Sequence, residues 1–189
     1  VRNSIINPNS YIQSNVVGFM NVLEACRHND VKGLIYASSS SVYGGNNIVP
    51  FSETHKVENP TSIYAATKKS NELMARSYYN LFGLKSTGLR FFTVYGPWGR
   101  PDMAYYIFTK NILEGKKIDV FGHGKMWRDF TYIDDLTESI KRLINHSPKK
   151  KSDTADDNKS TIAPYRILNI GNEKAIELSQ FIKTLEKVI

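Results

Sequence analysis

Three short segments, an apolar run at 33–38, a stretch rich in β-branched and aromatic residues at 85–92, and 166–170, are set between segments whose apolar residues recur every three or four positions. Segments of five to eight residues that are apolar enough read as strands of a covered sheet, and the three-and-four spacing reads as amphipathic helix. That alternation constrains the chain to an α/β fold with a parallel sheet covered by helices. A first helix over 10–28 presents Ile12, Val16, Phe19, Met20, Leu23 and Cys26 on one stripe. A second spans 62–82, with Pro60-Thr61 as its stop-and-cap signal and Gly83 closing it. Helices follow at 103–114, ended by Gly115, and at 133–145, where Asp134, Asp135 and Glu138 start and Lys141 and Arg142 end the segment in keeping with the helix dipole. The last helix is expected over 178–189. The block 96–131 breaks this rhythm, with short strands expected at 117–121 and 128–131 around a turn at 122–125, so it reads as an insertion forming part of a second lobe. Residues 148–164 are polar and low in complexity, as a mobile surface loop would be.

Composition narrows the class. With 41% apolar and 23% charged residues the chain is globular rather than fibrous or disordered. No stretch approaches the ~18 consecutive apolar residues of a bilayer-spanning helix, and Val1-Arg2-Asn3 opens no basic-then-apolar leader, so neither membrane anchor nor signal peptide is expected. One cysteine, Cys26, excludes an intramolecular disulfide and a multi-cysteine metal site, reads as a small core residue and fits the reducing cytoplasm. The net charge of +7 raises a nucleic-acid partner, but its lysines are scattered, and the triplet Lys149 to Lys151 is followed by Asp153, Asp156 and Asp157. The balance favours a solvated face or a small anionic ligand over duplex binding.

Tyr64 and Lys68 fall in the first turns of the 62–82 helix, four residues apart and so on one face. An ammonium beside a phenol lowers the phenol pKa from about 10 toward neutrality and makes a general base of it. With 11 tyrosines in the chain the spacing alone is weak, and Tyr106 and Lys110 repeat it. Context separates the two pairs: Tyr64 follows a strand that ends in Ser38-Ser39-Ser40-Ser41-Val42-Tyr43-Gly44, and ligands of open parallel sheets bind at the carboxyl ends of strands. The alternative for the serines is a loop whose hydroxyls satisfy its own backbone.

Four blocks in order, Ser38 to Gly44, Tyr64-Ala65-Ala66-Thr67-Lys68, Leu89 to Asp102 and Arg128 to Asp135, resemble the extended short-chain dehydrogenase/reductase family, and within it the NAD-dependent UDP-glucuronate 4-epimerases. The resemblance covers 1 to about 145 and again 166–171. It implies a partial Rossmann-like sheet over 1–93, a substrate-lobe insertion over 94–131, a return to the sheet over 132–171 and the start of a carboxyl-terminal substrate lobe over 172–189.

Residue by residue, the resemblance implies that Tyr64 is the catalytic base and Lys68 its partner, which also contacts the nicotinamide ribose. Ser39 matches the hydroxyl residue that bonds the sugar 4-hydroxyl, with Ser40 as the nearby alternative. Asn15 and Ser38 fall on the cofactor side. Thr93 faces the substrate, Arg128 matches the arginine that binds the nucleotide diphosphate by bidentate contact, Val120 lies on a strand expected to pass the uracil, and Arg100 is a candidate for the sugar or its carboxylate. No metal site is expected. The implied chemistry is oxidation of the sugar at C4 and reduction from the opposite face, with NAD retained. A 4,6-dehydratase would need an extra acid and base, and those enzymes carry carboxylates where this chain has Ser39 and Ser40, so epimerisation of a UDP-sugar is favoured. The family pairs as homodimers through helices matching 10–28 and 62–82.

One family feature is missing. The glycine-rich pyrophosphate fingerprint is absent, and Gly122-His123-Gly124 precedes Trp127-Arg128-Asp129 rather than a helix. The chain therefore reads as an internal piece whose strand at 33–38 would expose an apolar edge, and which by itself is expected to bind NAD poorly and be inactive. A non-catalytic nucleotide-sugar-binding remnant is the alternative, against which the intact Ser39, Tyr64 and Lys68 speak.

Overall fold

The computed structural model describes residues 3–148 and 164–189. In chain order these form helices α1 (Asn3–Ile6) and α2 (Pro8–Tyr11), a π-helical turn (Ile12–Val17), α3 (Gly18–His28), strand β1 (Leu34–Ser39), a 3-10 turn (Ser40–Tyr43), α4 (Ile63–Phe82), β2 (Ser86–Phe91), β3 (Thr93–Tyr95), α5 (Ala104–Leu113), a second 3-10 turn (Phe121–Gly124), β4 (Trp127–Tyr132), α6 (Ile133–Ile144), β5 (Tyr165–Ile170), β6 (Ala175–Glu177) and α7 (Leu178–Val188). The loop expected at 148–164 lies, apart from its end residues, outside the described residues.

Two compact units result. The first holds the described residues within Val1–Phe91 and Lys141–Asn169. Its sheet has the order β1-β2-β5, with β1 and β2 parallel in the register Leu34↔Ser86 to Ser39↔Phe91 and β1 at the edge. A buried cluster of Leu23, Tyr78 and Leu84, packed by Phe19, Cys26, Leu34 and Met74, joins α3, α4 and the sheet. Cys26 is thus the core residue that its position in the apolar stripe suggests, and burial pushes its thiol pKa up. Close approach explains Gly88 in the middle strand. A Cβ there would come within 2.6 Å of the Tyr36 hydroxyl and 2.7 Å of Ile167 Cδ1, so only hydrogen fits between the two neighbouring strands.

Helix α4 is capped as a long independent helix should be, with the Ser62 hydroxyl, rather than Thr61, accepting the Ala65 N–H at 3.1 Å and Gly83 closing it in the left-handed conformation (φ 70°). The first helical segment departs from its expected form. Instead of one α-helix over 10–28, α2 and α3 are joined by the π turn, in which the Gly18 N–H bonds Gln13 O five residues back. The wider turn rotates the residues before it out of phase with the stripe behind it, and Ile12 is left 41% exposed.

The second unit holds Phe92–Ile140 and Ile170–Ile189. Its sheet runs β3-β4-β6, parallel between β3 and β4 and antiparallel between β4 and β6. The run expected as one strand over 85–92 therefore ends at Phe91, and Thr93 begins a strand of the other sheet. Phe108, Leu178 and Ile182 form the core here, with Ile118, Met126, Phe181 and Leu185 against them. No strand forms at 117–121. The Lys116 N–H bonds Asn111 O at 2.8 Å and the Asn111 side chain bonds Lys117 O at 3.3 Å, tying this segment to the end of α5 instead of to a sheet. Gly122, His123 and Gly124 then all take positive φ, which no strand accommodates.

Two stability effects follow. Gly88→Ala is expected to lower the unfolding free energy by about 1–3 kcal/mol through overpacking against Tyr36 and Ile167, and Ser62→Ala by about 1 kcal/mol through loss of the α4 cap. Urea unfolding of the full-length variants measures both, and a midpoint unchanged for Gly88→Ala would contradict the close approach.

Candidate active site at the carboxyl end of β1

In the first unit α4 lays its amino-terminal turns along the end of β1. Tyr64, Lys68 and Glu72 follow one another at intervals of four and so share one face of α4. The Lys68 ammonium donates to Ala37 O at 3.0 Å, which pins the helix to the strand immediately before Ser38 and Ser39. It also stands 5.9 Å from the centre of the Tyr64 ring. Burial pushes the Lys68 pKa below the ordinary lysine range. Tyr64 is half-buried and meets Tyr11 edge-to-face, ring centroids 6.0 Å apart.

The serine run separates into distinct roles. Ser39 ends β1, and its hydroxyl accepts the Ser41 N–H at 3.1 Å as the cap of the 3-10 turn, which leaves its own proton for a further acceptor. Ser40 is half-buried in that turn. Ser38 is buried, and its hydroxyl donates to Glu72 Oε1 at 2.7 Å. Glu72 in turn takes a bidentate bond from Arg90, with Nε to Oε1 at 2.8 Å and Nη2 to Oε2 at 2.9 Å.

Asn15 sits in the π turn, where its side chain donates to Thr67 Oγ1 at 3.0 Å and its carbonyl accepts from Asn71 Nδ2 at 2.7 Å. It lines a cavity of about 320 Å³ with Asn3, Ile6, Asn7, Tyr11 and Ser14. Asn15, Ser38, Ser39, Ser40, Tyr64 and Lys68 thus all belong to one unit, around β1 and α4. Thr67, Asn71, Glu72 and Arg90 are the supporting residues that sequence reading passed over. Their signal was available: three polar residues on a helix whose cap and length promise burial, facing a strand with one arginine in an otherwise uncharged interior.

The remaining expected residues belong to the second unit. Thr93 opens β3 opposite Phe130, and Arg128 stands on β4 opposite Ile176. Arg128 Nη1 donates to Trp127 O at 2.8 Å, and Nη2 lies 3.9 Å from Met126 Sδ. Arg100 is paired with Asp102 through Nε to Oδ1 at 3.0 Å and Nη2 to Oδ2 at 2.5 Å, and that guanidinium holds the Asp102 carboxyl below the usual carboxylate range. Val120 lies in coil before the second 3-10 turn, so the strand expected to carry it is corrected to an irregular segment. Among the described residues no group of three His, Cys, Asp or Glu side chains is placed to hold a metal ion, and no helix is long and apolar enough to cross a membrane.

This arrangement has recognisable relatives. The model of the NAD dependent epimerase/dehydratase family matches residues 1–171. Protein CapI of Staphylococcus aureus is 57% identical over 98% of the chain and 57% of its own length. UDP-glucuronate 4-epimerase 4 of Arabidopsis thaliana is 48% identical over 99% of the chain and 43% of its own length. A solved UDP-glucuronic acid 4-epimerase from Bacillus cereus, in complex with UDP-glucuronic acid and NAD, superposes with a TM-score of 0.80 at 33% identity, covering 95% of the chain and 52% of that structure. The chain spans about half the length of the relatives it matches. With the family model covering 1–171 and the sheet, helices and tyrosine-lysine pair in place, the chain belongs to the NAD dependent epimerase/dehydratase family.

Proposed function

We propose that this chain carries the catalytic groups of an NAD-dependent UDP-sugar 4-epimerase that interconverts UDP-glucuronate and UDP-galacturonate. The observation that carries the reading is the pair of Tyr64 and Lys68 on α4, with Lys68 bonded to Ala37 O two residues before Ser39 at the carboxyl end of β1, together with relatives named UDP-glucuronate 4-epimerase over nearly the whole chain.

The donor set suits a dinucleotide. Lys68 gives one proton to Ala37 O and has two more for the vicinal hydroxyls of a ribose, and Asn15 stands on the same unit; Ser38, its hydroxyl spent on Glu72, is left to meet a cofactor through its backbone. Bound NAD supplies reversible hydride acceptance at the sugar C4. Tyr64 takes the proton of the 4-hydroxyl as that carbon becomes a carbonyl and returns it when the hydroxyl re-forms on the opposite face, so the proton balance closes on one side chain. Lys68 supplies the positive charge beside the phenol through both half-steps. Ser39, its lone pair engaged by the Ser41 N–H, donates its proton to the sugar 4-oxygen and orients it. Thr93 and Arg100 are assigned to the sugar, Arg128 to the diphosphate by charge-assisted contact, and Val120 to the neighbourhood of the base. Ser39 and Ser40 offer hydroxyls and no carboxylate, which favours epimerisation over the dehydration that an added acid and base would support. Cys26 as a free thiol fits a cytoplasmic protein.

Pairing of two copies through α3 and α4 belongs to the same reading. Val22 on α3 and Leu73, Leu81 and Phe82 on α4 are exposed apolar residues, a pattern that suits a helical interface.

Incubated with NAD and UDP-glucuronate, the full-length protein is expected to form UDP-galacturonate, followed by NMR, and Tyr64→Phe is expected to lower the rate by at least about 10²-fold. Conversion of UDP-glucose but not UDP-glucuronate would overturn the substrate, and full activity of Tyr64→Phe would overturn the base. Sedimentation of the full-length protein is expected to give a dimer that Leu73→Glu weakens; a monomer at all concentrations would contradict the pairing.

A further inference from the structure

Glu72 is 2% exposed, carries a charge and touches neither Tyr64 nor Ser39, yet it is bonded to what holds them. Its carboxylate takes the Ser38 hydroxyl at 2.7 Å and both arms of Arg90 at 2.8 and 2.9 Å, with the Lys69 ammonium at 3.7 Å. Its backbone carbonyl accepts the Tyr165 hydroxyl of β5 at 2.9 Å. One turn earlier on the same helix Lys68 grips Ala37 O. Consecutive strand residues are therefore clasped by consecutive turns of α4: Ala37 by Lys68 through its carbonyl, Ser38 by Glu72 through its hydroxyl. Successive strand side chains point to opposite faces. Fixing Ser38 inward by a charge-assisted bond thereby sets the direction of Ser39, whose hydroxyl already holds the Ser41 N–H.

We propose that Glu72 is a positioning residue, which through Ser38 fixes the end of β1 so that Ser39 is held in place beside the helix that carries Tyr64 and Lys68. A bidentate partner on β2 gives the carboxylate a fixed plane, which a solvated side chain would lack. Arg90 is thus the support of the clasp, and Ser38 its contact with the strand. This assignment rests on the proposed roles of Ser39 and Tyr64 for its catalytic consequence, and on geometry alone for the clasp itself.

The test uses Ser38→Ala and Glu72→Gln in the full-length protein, the first removing a single hydroxyl with little risk to folding. Amide hydrogen exchange at Ser41, protected by the Ser39 hydroxyl, is expected to rise about tenfold in Ser38→Ala while Leu89 on β2 stays unchanged, the loss of one ~1.4 kcal/mol restraint. In the same variant kcat for UDP-glucuronate is expected to fall by about tenfold or more, with KM within about twofold, because a misplaced group costs rate rather than binding. Glu72→Gln should reproduce both changes. Unaltered Ser41 exchange in both variants, or raised exchange with an unaltered kcat, would overturn the assignment, whatever happens to the melting temperature. Raised exchange in a protein whose wild type converts no UDP-sugar would leave the clasp standing and remove the epimerase reading instead.

Discussion

The buried pair between Glu72 and Arg90 is the contact on which the arrangement of the first unit turns. Both side chains lie within the interior, where an unpaired ion would cost several kcal/mol, and removing one partner of such a pair typically costs about 3–5 kcal/mol. Burial alone would push the Arg90 pKa down, but the bidentate bond to Glu72 more than reverses it and keeps the guanidinium charged. Arg90 Nη1 has no hydrogen-bond acceptor among the described residues, and the guanidinium lies 4.8 Å from the centre of the Tyr43 ring, which offers a cation–π contact in compensation. Tyr43 in turn donates to Asn169 Oδ1, and the Asn169 side chain donates to Phe51 O, so the order imposed by one ion pair reaches β5 and the loop after the 3-10 turn.

The same interior is otherwise arranged to avoid charge. Burial raises the pKa of Tyr36 and pushes that of Tyr165 up to about 12, so both phenols stay neutral donors near the carboxylate. Their oxygens lie 3.4 Å apart, and Tyr165 spends its proton on Glu72 O. The second unit solves a comparable problem with a single carboxylate. Asp129 accepts the N–H groups of Asn172 and Glu173, which orders the turn between β5 and β6 without any buried cation.

What could be read from residue order was whatever depends on local chemistry. The length and end of α4 were legible because Pro60, Gly83 and the stripe between them act over a few residues, although the cap is Ser62 and not Thr61, and Tyr64 and Lys68 share a face by spacing alone. The strand at 34–39 was legible as an apolar run too short for helix, and that at 86–91 as a stretch rich in β-branched and aromatic residues ahead of the Gly96 to Pro101 punctuation. The inward aim of the Ser38 hydroxyl was not, because which face a strand residue takes is decided by its partner on α4 and its register with Arg90, more than fifty residues later. Nor was β6, a three-residue strand whose pairing with β4 is specified by β4 and not by its own composition. The expected strand at 117–121 failed for the converse reason: its apolar residues suit a sheet, but the positive φ of Gly122, His123 and Gly124 and the bonds to Asn111 decide the backbone first.

The π turn at Ile12–Val17 has an arithmetic of its own. It holds one residue more than the α-helical turn it replaces, so a chain shortened by one residue within it could still close every backbone bond as an uninterrupted α-helix. Nothing in the helix itself would register the loss. If the segment kept its present length and wound as α-helix throughout, the residues before it would instead turn by about 100° relative to those after it. The apolar stripe would then run through Ile12, as its spacing allows, and Asn15 would swing away from Thr67 and Asn71. The extra residue is therefore a phase setting: it lets one helix serve two surfaces whose directions a regular helix could not satisfy together.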